Sequence, residues 1–222
     1  MKYPVNEVFQ TIQGEGFFTG VPAIFIRLQG CPVGCSWCDT KHTWELSELN
    51  EVAPELVIRV DGQIGRWANL SADSLIDALR EKNFTAEHVV ITGGEPCMYD
   101  LSNLTTLLHQ AGYKTQIETS GTFSVMCSDD TWVTVSPKTN MKGGFEVLTQ
   151  ALERADEVKH PVATAKHIAQ LDTLLQEINT ADKVICLQPI SQKGRATELA
   201  METCIQRNWR LSIQTHKYLY ID

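Results

Sequence analysis

Short apolar runs alternate along the chain with longer stretches in which apolar side chains recur at helical spacing. The short runs predict seven strands, at residues 23–28, 88–92, 114–118, 132–136, 156–159, 184–188 and 210–214. The periodic stretches predict helices at residues 71–83, 100–112, 164–179 and 195–208. Because strands and helices take turns, the pattern predicts an α/β protein built of parallel βα units, with about six core strands and three or four helices.

Residues 45–70 interrupt this alternation. They show no clean period and contain Pro54, Gly62 and Gly65, so we expect an irregular excursion here. The whole chain has 222 residues, of which 43% are hydrophobic, and this is enough to bury one sizeable core. We therefore predict a single domain over residues 1–222.

The charge balance argues against nucleic-acid and membrane partners. The chain has 19 basic and 27 acidic side chains, a net charge of −8, and no run of Lys or Arg. A small-molecule partner fits this surface better. No stretch approaches the roughly 18 consecutive apolar residues of a membrane span, and the N-terminus lacks the apolar core of a secretory signal. These features predict a cytoplasmic protein.

Seven cysteines are spread unevenly, and three of them crowd into the stretch CPVGCSWC at residues 31–38. In a reducing cytosol such a set indicates metal ligands and buried thiols rather than disulfides. A structural zinc ion would need four ligands, which Cys31, Cys35, Cys38 and His42 could supply. An iron–sulfur cube on three cysteines would leave one iron open. The loop alone leaves both alternatives open, and the remaining cysteines are expected to be buried hydrophobic residues, namely Cys97, Cys127, Cys186 and Cys204.

The cysteine loop follows the strand predicted at 23–28, and the stretch ITGGEP at 91–96 ends the next strand. Ligands of parallel α/β sheets bind at the carboxyl ends of the strands, so both motifs are expected at one site. Together they resemble the radical S-adenosylmethionine superfamily. The resemblance implies that Cys31, Cys35 and Cys38 hold a 4Fe-4S cluster, whose open iron is chelated by the amino and carboxylate groups of S-adenosylmethionine.

Further motifs narrow the resemblance to one family. They are FQTIQGEG at 9–16, FIRLQGCP around Arg27, WCDTKHTW at 37–44, QIETSGT at 116–122, VSPK at 135–138, LQPIS at 187–191 and SIQTHKYLYID at 212–222. Together they resemble the 7-carboxy-7-deazaguanine synthase family, closest to its proteobacterial form. The resemblance runs nearly end to end and is weakest over residues 45–70.

The family resemblance implies a carbon–nitrogen lyase of queuosine and 7-deazapurine biosynthesis. The implied reaction is a radical ring contraction of 6-carboxy-5,6,7,8-tetrahydropterin to 7-carboxy-7-deazaguanine, with loss of ammonia. One electron from the reduced cluster would cleave the C5′–S bond of S-adenosylmethionine, and the radical so formed would abstract the hydrogen at C6 of the pterin. The resemblance also implies an abridged parallel βα barrel of the radical S-adenosylmethionine type, a homodimer, and an external electron donor such as flavodoxin.

The same motifs imply roles for individual positions. The residues implied to bind S-adenosylmethionine are Trp37, Cys38, Asp39, Gly93, Gly94, Glu95, Glu118, Ser120, Ser136, Pro137, Lys138 and Gln188. Those implied to bind the substrate are Ile12, Gln13, Gly14, Glu15, Arg27, Thr92 and His216. Thr40 is implied to bind Mg²⁺, a hard cation that accepts hydroxyl and water oxygens. The glycines of ITGGEP are expected where the backbone approaches the methionine end of the cofactor.

The chemistry of several of these residues leaves alternatives open. Gln13 and Glu15 offer acceptors to the amide-and-amine edge of a pterin, but IQGEG could also be an ordinary glycine-rich turn. Arg27 lies in an otherwise apolar strand and needs an anionic partner, either the substrate carboxylate or an internal ion pair. The stretches around Glu118 and Ser136 could equally be caps and turns. A radical activase acting on another protein would share the cysteine loop and ITGGEP without needing a pterin pocket.

Overall fold

The computed structural model of the chain describes residues 1–58, 65–219 and 221. Its strands are β1 Lys2–Ile12, β2 Pro22–Leu28, β3 Ala68–Ser71, β4 His88–Gly93, β5 Lys114–Thr119, β6 Trp132–Val135, β7 Glu157–Val162, β8 Val184–Pro189 and β9 Arg210–Leu211. They form one sheet in the order β3-β1-β2-β4-β5-β6-β7-β8-β9. β1 is antiparallel to its two neighbours, and every later pair in this order is parallel. The prediction of a partial parallel barrel is confirmed.

Four helices fall where the apolar periodicity placed them, and two short ones were not predicted. The helices are α1 Ala72–Glu81, α2 Ser102–Gln110, α3 Thr149–Arg154, α4 Ala165–Leu175, α5 Gly194–Arg207 and α6 Thr215–Leu219. α3 and α6 have six and five residues, which is less than two helical turns, so their apolar positions show no period. Across the described part of the chain, no helix has the length and apolar character needed to cross a membrane.

The sequence pattern did not predict the strands β1 and β3, and there is a physical reason for each omission. β1 is buried on both of its faces over most of its length, so its sequence shows no alternation of apolar and polar positions. β3 has only four residues and lies at the end of the excursion predicted over 45–70, which is therefore partly regular. Residues 59–64 of that excursion lie outside the described residues, as do positions 220 and 222 of the closing motif.

Alternation along the parallel strands directs polar side chains into the barrel. On β2, Ile24 and Ile26 are fully buried in the core beneath α1 and α2, whereas Arg27 faces the barrel interior. On β7, Val158 packs in the core on the helix side, whereas Lys159 faces inward. Because side chains of successive residues point to opposite faces of a strand, the apolar core lies outside the sheet and the interior is polar.

The connection between β1 and β2, residues 13–21, reaches across the barrel interior to the far edge of the sheet. The Gly16 amide donates to Ser212 Oγ at 2.9 Å, and the Phe17 amide donates to the Glu157 carboxylate at 3.2 Å. Gly16 has φ +68, and a Cβ there would lie 2.4 Å from Glu157 Oε1, so this close approach requires glycine. The hairpin thereby lies across the amino ends of the parallel strands, where Phe17 and Phe18 contact Trp132 and His88.

Candidate active site

A cavity of about 500 Å³ opens at the carboxyl ends of the parallel strands. It is lined by the segments that follow the strands from β2 to β8, by the hairpin at 13–21 and by the start of α6. Every residue that the sequence predicted for the site lines this cavity except Pro137. Pro137 is buried between two lining residues, Ser136 and Lys138. The rule that sites form at strand carboxyl ends accounts for the cysteine loop and the glycine turn, whereas Gln13, Gly14 and Glu15 reach the cavity from the connection before β2.

The cysteine loop is fixed to the segment that follows it. The Gly30 amide donates to Thr43 O at 2.7 Å, and the Cys31 amide donates to Trp44 O at 3.0 Å. Burial, together with the nearby carboxylate of Glu95 and the other two thiols, raises the pKa of Cys31 to about 11. Burial also raises the pKa of Cys35. Both thiols are therefore protonated in the ligand-free protein, and a metal group must displace their protons because the thiolate is the ligating form.

The geometry of the loop does not support a zinc site of three cysteines and a histidine. His42 does not line the cavity that Cys31, Cys35 and Cys38 share. Within residues 1–58, 65–219 and 221, no three His, Cys, Asp or Glu side chains converge closely enough to hold one metal ion. Tetrahedral zinc needs all its ligand atoms around one point, whereas a cluster offers each cysteine a separate iron. Three cysteines on one loop facing a common cavity fit the cluster.

The glycine turn after β4 packs directly on the cysteine loop. The Glu95 amide donates to Gly30 O at 2.8 Å. A Cβ on Gly94 would lie 2.1 Å from Gly30 O and 3.0 Å from Cys31 Cβ, distances that no folded backbone accommodates. The sequence predicted these glycines for the approach of the cofactor. The structure adds a second reason for Gly94, because the loop that carries Cys31 leaves no space for a side chain there.

Gly94→Ala is therefore expected to reduce the iron bound per chain after anaerobic reconstitution, because the added Cβ displaces the cysteine loop. Overpacking of this kind costs about 1–3 kcal/mol, so the midpoint of thermal unfolding should also fall by several degrees. Gly194→Ala is the matched control, since a Cβ there meets nothing within 4 Å. Parent iron content and parent thermal stability in Gly94→Ala would show that the turn is not packed as described.

The Glu95 carboxylate ties the end of β4 to the end of β5. It is 1% exposed and accepts hydrogen bonds at 2.5–2.9 Å from Cys97 N, Thr119 Oγ1, Ser120 N and Ser120 Oγ. Four donors of the protein itself occupy the two carboxylate oxygens, so these oxygens bind within the protein rather than to a ligand. The hydroxyl of Ser120 is occupied by the same contact. If Glu95 and Ser120 contact a cofactor, they would do so through their backbone atoms.

Two carboxylates and one lysine form the charged centre of the cavity. Lys159 Nζ lies 2.8 Å from Glu15 Oε2 and 2.9 Å from each oxygen of Glu118. Burial would raise the pKa of Glu15, but the charge of Lys159 together with hydrogen bonds from Lys159 and Gln214 outweighs it and lowers that pKa to about 2. Burial and the carboxylates of Glu157 and Glu15 raise the pKa of Glu118 to about 7, against the opposing effect of Lys159. The cavity thus holds one firmly ionised carboxylate beside one that titrates near neutral pH.

Arg27 has an internal ion pair and also faces the cavity. Its Nε lies 2.6 Å from Glu7 Oε1, and its guanidinium carbon lies 5.7 Å from the ring centroid of Phe9. Its side chain is 16% exposed and lines the cavity, whereas Glu7 does not. The two alternatives left open by the sequence are therefore not exclusive. Glu7 engages Nε, while the residue remains available to an anion in the cavity.

The hairpin residues are held by one another and by the C-terminal segment. Gln13 is 3% exposed, accepts from the Glu15 amide at 3.1 Å and donates to Gln116 Oε1 at 3.4 Å. Gly14 O accepts from the Thr215 amide and hydroxyl, both at 2.9 Å. A Cβ on Gly14 would lie 2.5 Å from Nδ1 of His216, so glycine allows this imidazole to sit against the hairpin. The hairpin and α6 therefore form one wall of the cavity.

The remaining residues predicted for the cofactor lie around the rim and the opposite wall. Lys138 Nζ donates to Ser136 O at 2.8 Å, and burial lowers the pKa of Lys138. Gln188 Oε1 accepts from Ser212 Oγ at 2.8 Å. Trp37 is 39% exposed at the rim. Asp39 lies at the rim too, 3.6 Å from Lys217 Nζ.

Sequence reasoning missed several residues that shape the interior, above all Lys159. Its strand reads DEVKH, which gives an alternating polar pattern at Glu157 and Lys159 that could have marked an inward face. Nothing in that stretch indicates the partners, because Glu15 lies 144 positions away. Gln116, which donates to Glu118 at 3.0 Å, begins the motif QIETSGT, but no role of its own in the site was predicted for it.

Comparison with known proteins identifies the class of protein to which this fold and this cavity belong. Residues 25–168 match the Radical SAM superfamily, so the chain belongs to that superfamily. It is 61% identical over 223 residues to 7-carboxy-7-deazaguanine synthase of Escherichia coli (strain K12), and 47% identical over 222 residues to that of Buchnera aphidicola subsp. Schizaphis graminum. Both alignments cover 100% of each chain. The crystal structure of QueE from Escherichia coli matches with a TM-score of 0.94 at 59% identity, over 96% of this chain and 94% of that one.

The chain is thus a member of the 7-carboxy-7-deazaguanine synthase family.

Proposed function

We infer that this chain is a 7-carboxy-7-deazaguanine synthase, a radical S-adenosylmethionine carbon–nitrogen lyase. It converts 6-carboxy-5,6,7,8-tetrahydropterin to 7-carboxy-7-deazaguanine and ammonia. The observation that supports this inference is the lining of one cavity, where three cysteines occur together with two partly buried carboxylates and an arginine. The cysteines suit a cluster, and the other groups suit a flat polar substrate with its own carboxylate. A zinc-binding module would not require the two carboxylates and the arginine.

The charged residues of the cavity match the two ends of the pterin. The amide-and-amine edge of the ring donates hydrogen bonds, and Glu15, held ionised by Lys159, is the acceptor placed for it. The substrate carboxylate is planar and suits the guanidinium of Arg27, which presents parallel donors. Gln13 keeps the hairpin in place through its bond to the Glu15 amide. Ile12, Gly14, Thr92 and His216 line the cavity and complete the proposed substrate wall.

The proposed cofactor residues surround the cysteine loop. Cys31, Cys35 and Cys38 would hold a 4Fe-4S cluster, and the turn at Gly93 and Gly94 lies against their loop. Bound S-adenosylmethionine and the reduced cluster supply a carbon-centred radical that abstracts a hydrogen atom. We place S-adenosylmethionine against Trp37, Asp39, the Glu95 backbone, Glu118, Ser120, Ser136, Pro137, Lys138 and Gln188. The protein residues bind both molecules side by side and exclude water between them.

An isotope experiment tests whether the pterin is the hydrogen donor. The reconstituted protein is incubated anaerobically with S-adenosylmethionine, a reductant and substrate deuterated at C6. We expect deuterium in the 5′-deoxyadenosyl carbon, recovered as 5′-deoxyadenosine or as S-adenosylmethionine, and none from substrate deuterated at C7. Cofactor cleavage that leaves the pterin unchanged and transfers no label would instead favour a radical activase acting on another protein.

We propose that Thr40 contributes to a Mg²⁺ site between the protein and the substrate carboxylate. Its hydroxyl lies 3.6 Å from Cys38 Sγ, and the residue lines the cavity. Mg²⁺ keeps several waters and needs few protein ligands, so a single hydroxyl is compatible with it. Thr40→Ala should raise the Mg²⁺ concentration needed for half-maximal pterin binding in calorimetry by about tenfold. An unchanged Mg²⁺ requirement would remove Thr40 from the site.

Homodimer formation and an external electron donor such as flavodoxin remain predictions of the family resemblance, and a cytoplasmic location remains a prediction of the sequence. The exposed rim at Trp37 supports an external electron donor, because the cysteine loop lies close to the protein surface there.

A further inference from the structure

Lys159 lies where the two halves of the cavity meet. Its side chain is 3% exposed, and its ammonium group donates to Glu15 on one side and to both oxygens of Glu118 on the other. Glu15 stands on the hairpin that we assign to the substrate, whereas Glu118 stands at the end of β5 in the part assigned to the cofactor. One buried cation is therefore shared by two carboxylates with different proposed tasks.

Each carboxylate is held by a side-chain amide as well as by Lys159. Gln214 Nε2 donates to Glu15 Oε1 at 2.8 Å, and Gln116 Nε2 donates to Glu118 Oε1 at 3.0 Å. Lys159 donates to the other oxygen of Glu15 and to both oxygens of Glu118. Because an ammonium group has three donors and no acceptor, these contacts use Lys159 fully. Rotation of either carboxylate would leave the buried ammonium with an unpaired donor.

The surroundings of Lys159 are predominantly acidic. Besides Glu15 and Glu118, the Glu157 carboxylate on the same strand is 0% exposed and affects the same lysine. The other charged groups that face this centre are Lys138, which follows β6, and His216 on α6. Although burial alone would lower the pKa of Lys159, the three carboxylates outweigh it and raise that pKa. The three carboxylates therefore favour the positively charged form of Lys159.

We propose that Lys159 is a positioning residue that keeps the substrate carboxylate Glu15 ionised and aims both Glu15 and the cofactor carboxylate Glu118, and so couples the two halves of the site. The proposal rests on the function inferred above and adds a residue that the family motifs did not supply. Two carboxylates this close and this buried cannot both stay ionised without the shared cation, since one of them then takes up a proton. A protonated Glu15 presents a donor where the pterin edge needs an acceptor.

The test begins with the charge state of the carboxylates in the ligand-free protein. In Lys159→Met, carbon-13 spectra of labelled glutamate should show one further titration step at or above neutral pH, besides that of Glu118, whose pKa in the parent is about 7. Lys159→Arg keeps the charge and should show no such step. Lys183→Met is the matched control, because Lys183 is fixed by bonds to Glu153 O and Ala155 O away from the cavity. Identical glutamate titrations in Lys159→Met and the parent would overturn the proposal.

Calorimetric binding of the carboxytetrahydropterin then tests the consequence for the substrate. In Lys159→Met the dissociation constant should rise about tenfold at neutral pH, as expected when a buried charged contact is lost. This deficit should shrink as pH rises, because Glu15 loses its extra proton. In the parent the pKa of Glu15 is about 2, so Glu15 causes no change in affinity near neutral pH. Lys183→Met should bind like the parent.

The same measurements distinguish failure of this proposal from failure of the proposed function. A parent protein that does not bind the pterin contradicts the function, while the glutamate spectra still decide the role of Lys159 independently. A uniform loss of affinity in Lys159→Met at all pH values, without a new titrating carboxyl, would show a merely structural lysine and overturn the proposal. Should Lys159→Met fail to fold, Lys159→Arg decides, with weaker pterin binding but unchanged glutamate titrations as the supporting result.

Discussion

Alanine at any one of Cys31, Cys35 or Cys38 is expected to abolish iron–sulfur absorption and turnover together. Each thiol of the loop would carry one iron of the cluster, and a methyl group supplies no ligand in its place. The loop and the glycine turn it packs on should keep their backbone contacts, because these use amides and carbonyls rather than the thiols. The measurements are iron and sulfide content, the absorption spectrum after anaerobic reconstitution, and product formation. We expect activity below about 1% of the parent.

Controls for this result lie in the same chain. His42→Ala should keep the cluster, since His42 does not line the cavity. The serine variants of the other four cysteines should also keep it, and these are Cys97, Cys127, Cys186 and Cys204. Cys127 is the cleanest of the four because it is only partly buried, so serine costs little packing there. Stoichiometric zinc in place of iron in the parent, lost in both His42→Ala and Cys38→Ala, would support zinc ligation and contradict the cluster.

Arg27→Lys is expected to weaken pterin binding while leaving the cluster and S-adenosylmethionine binding unchanged. Lysine keeps the charge but loses the planar pair of donors that suits a carboxylate. One charge-assisted contact of this kind contributes on the order of 1–3 kcal/mol, which corresponds to a rise in the dissociation constant of roughly 5- to 150-fold. The loss should appear in substrate affinity measured by calorimetry and in turnover at sub-saturating substrate.

The ion pair with Glu7 makes a control necessary for Arg27. Glu7→Gln removes the charge partner of Nε and leaves the guanidinium facing the cavity. If Arg27 acts on the substrate, Glu7→Gln should reduce thermal stability modestly and pterin affinity much less than Arg27→Lys does. Equal losses of affinity in the two variants, or parent affinity in Arg27→Lys, would show that Arg27 is only a structural ion-pair residue.

The sequence predicted those strands and helices whose apolar pattern is complete within one segment of the chain. The β-branched runs and the four amphipathic helices each carry a period within one segment, and they placed seven strands and the helices α1, α2, α4 and α5 correctly. β1 is buried on both faces and β3 is too short, so neither shows a period. β9 ends at Leu211, earlier than the run at 210–214 suggested, since it pairs over only two residues at the sheet edge.

The sequence predicted those parts of the candidate site in which a motif directly follows a predicted strand. The position of each motif at a strand end was enough to bring the cysteine loop, the glycine turn and Arg27 to one cavity. The partners of these groups were not predictable, because they are long-range contacts. Lys159 meets Glu118 across 41 positions and Glu15 across 144, and the Gly16 contact with Ser212 spans 196. The glycine turn was placed correctly, but its packing against the cysteine loop is visible only in three dimensions.

The central claim, that this cavity performs the ring contraction, is tested most directly by the product. The reconstituted protein is incubated anaerobically with S-adenosylmethionine, Mg²⁺, a strong reductant and 6-carboxy-5,6,7,8-tetrahydropterin, and the product mass and released ammonia are measured. The account predicts 7-carboxy-7-deazaguanine, lighter than the substrate by one ammonia, with one ammonia released for each molecule formed. A fully loaded cluster that cleaves S-adenosylmethionine in the presence of the pterin yet releases neither product nor ammonia would contradict it.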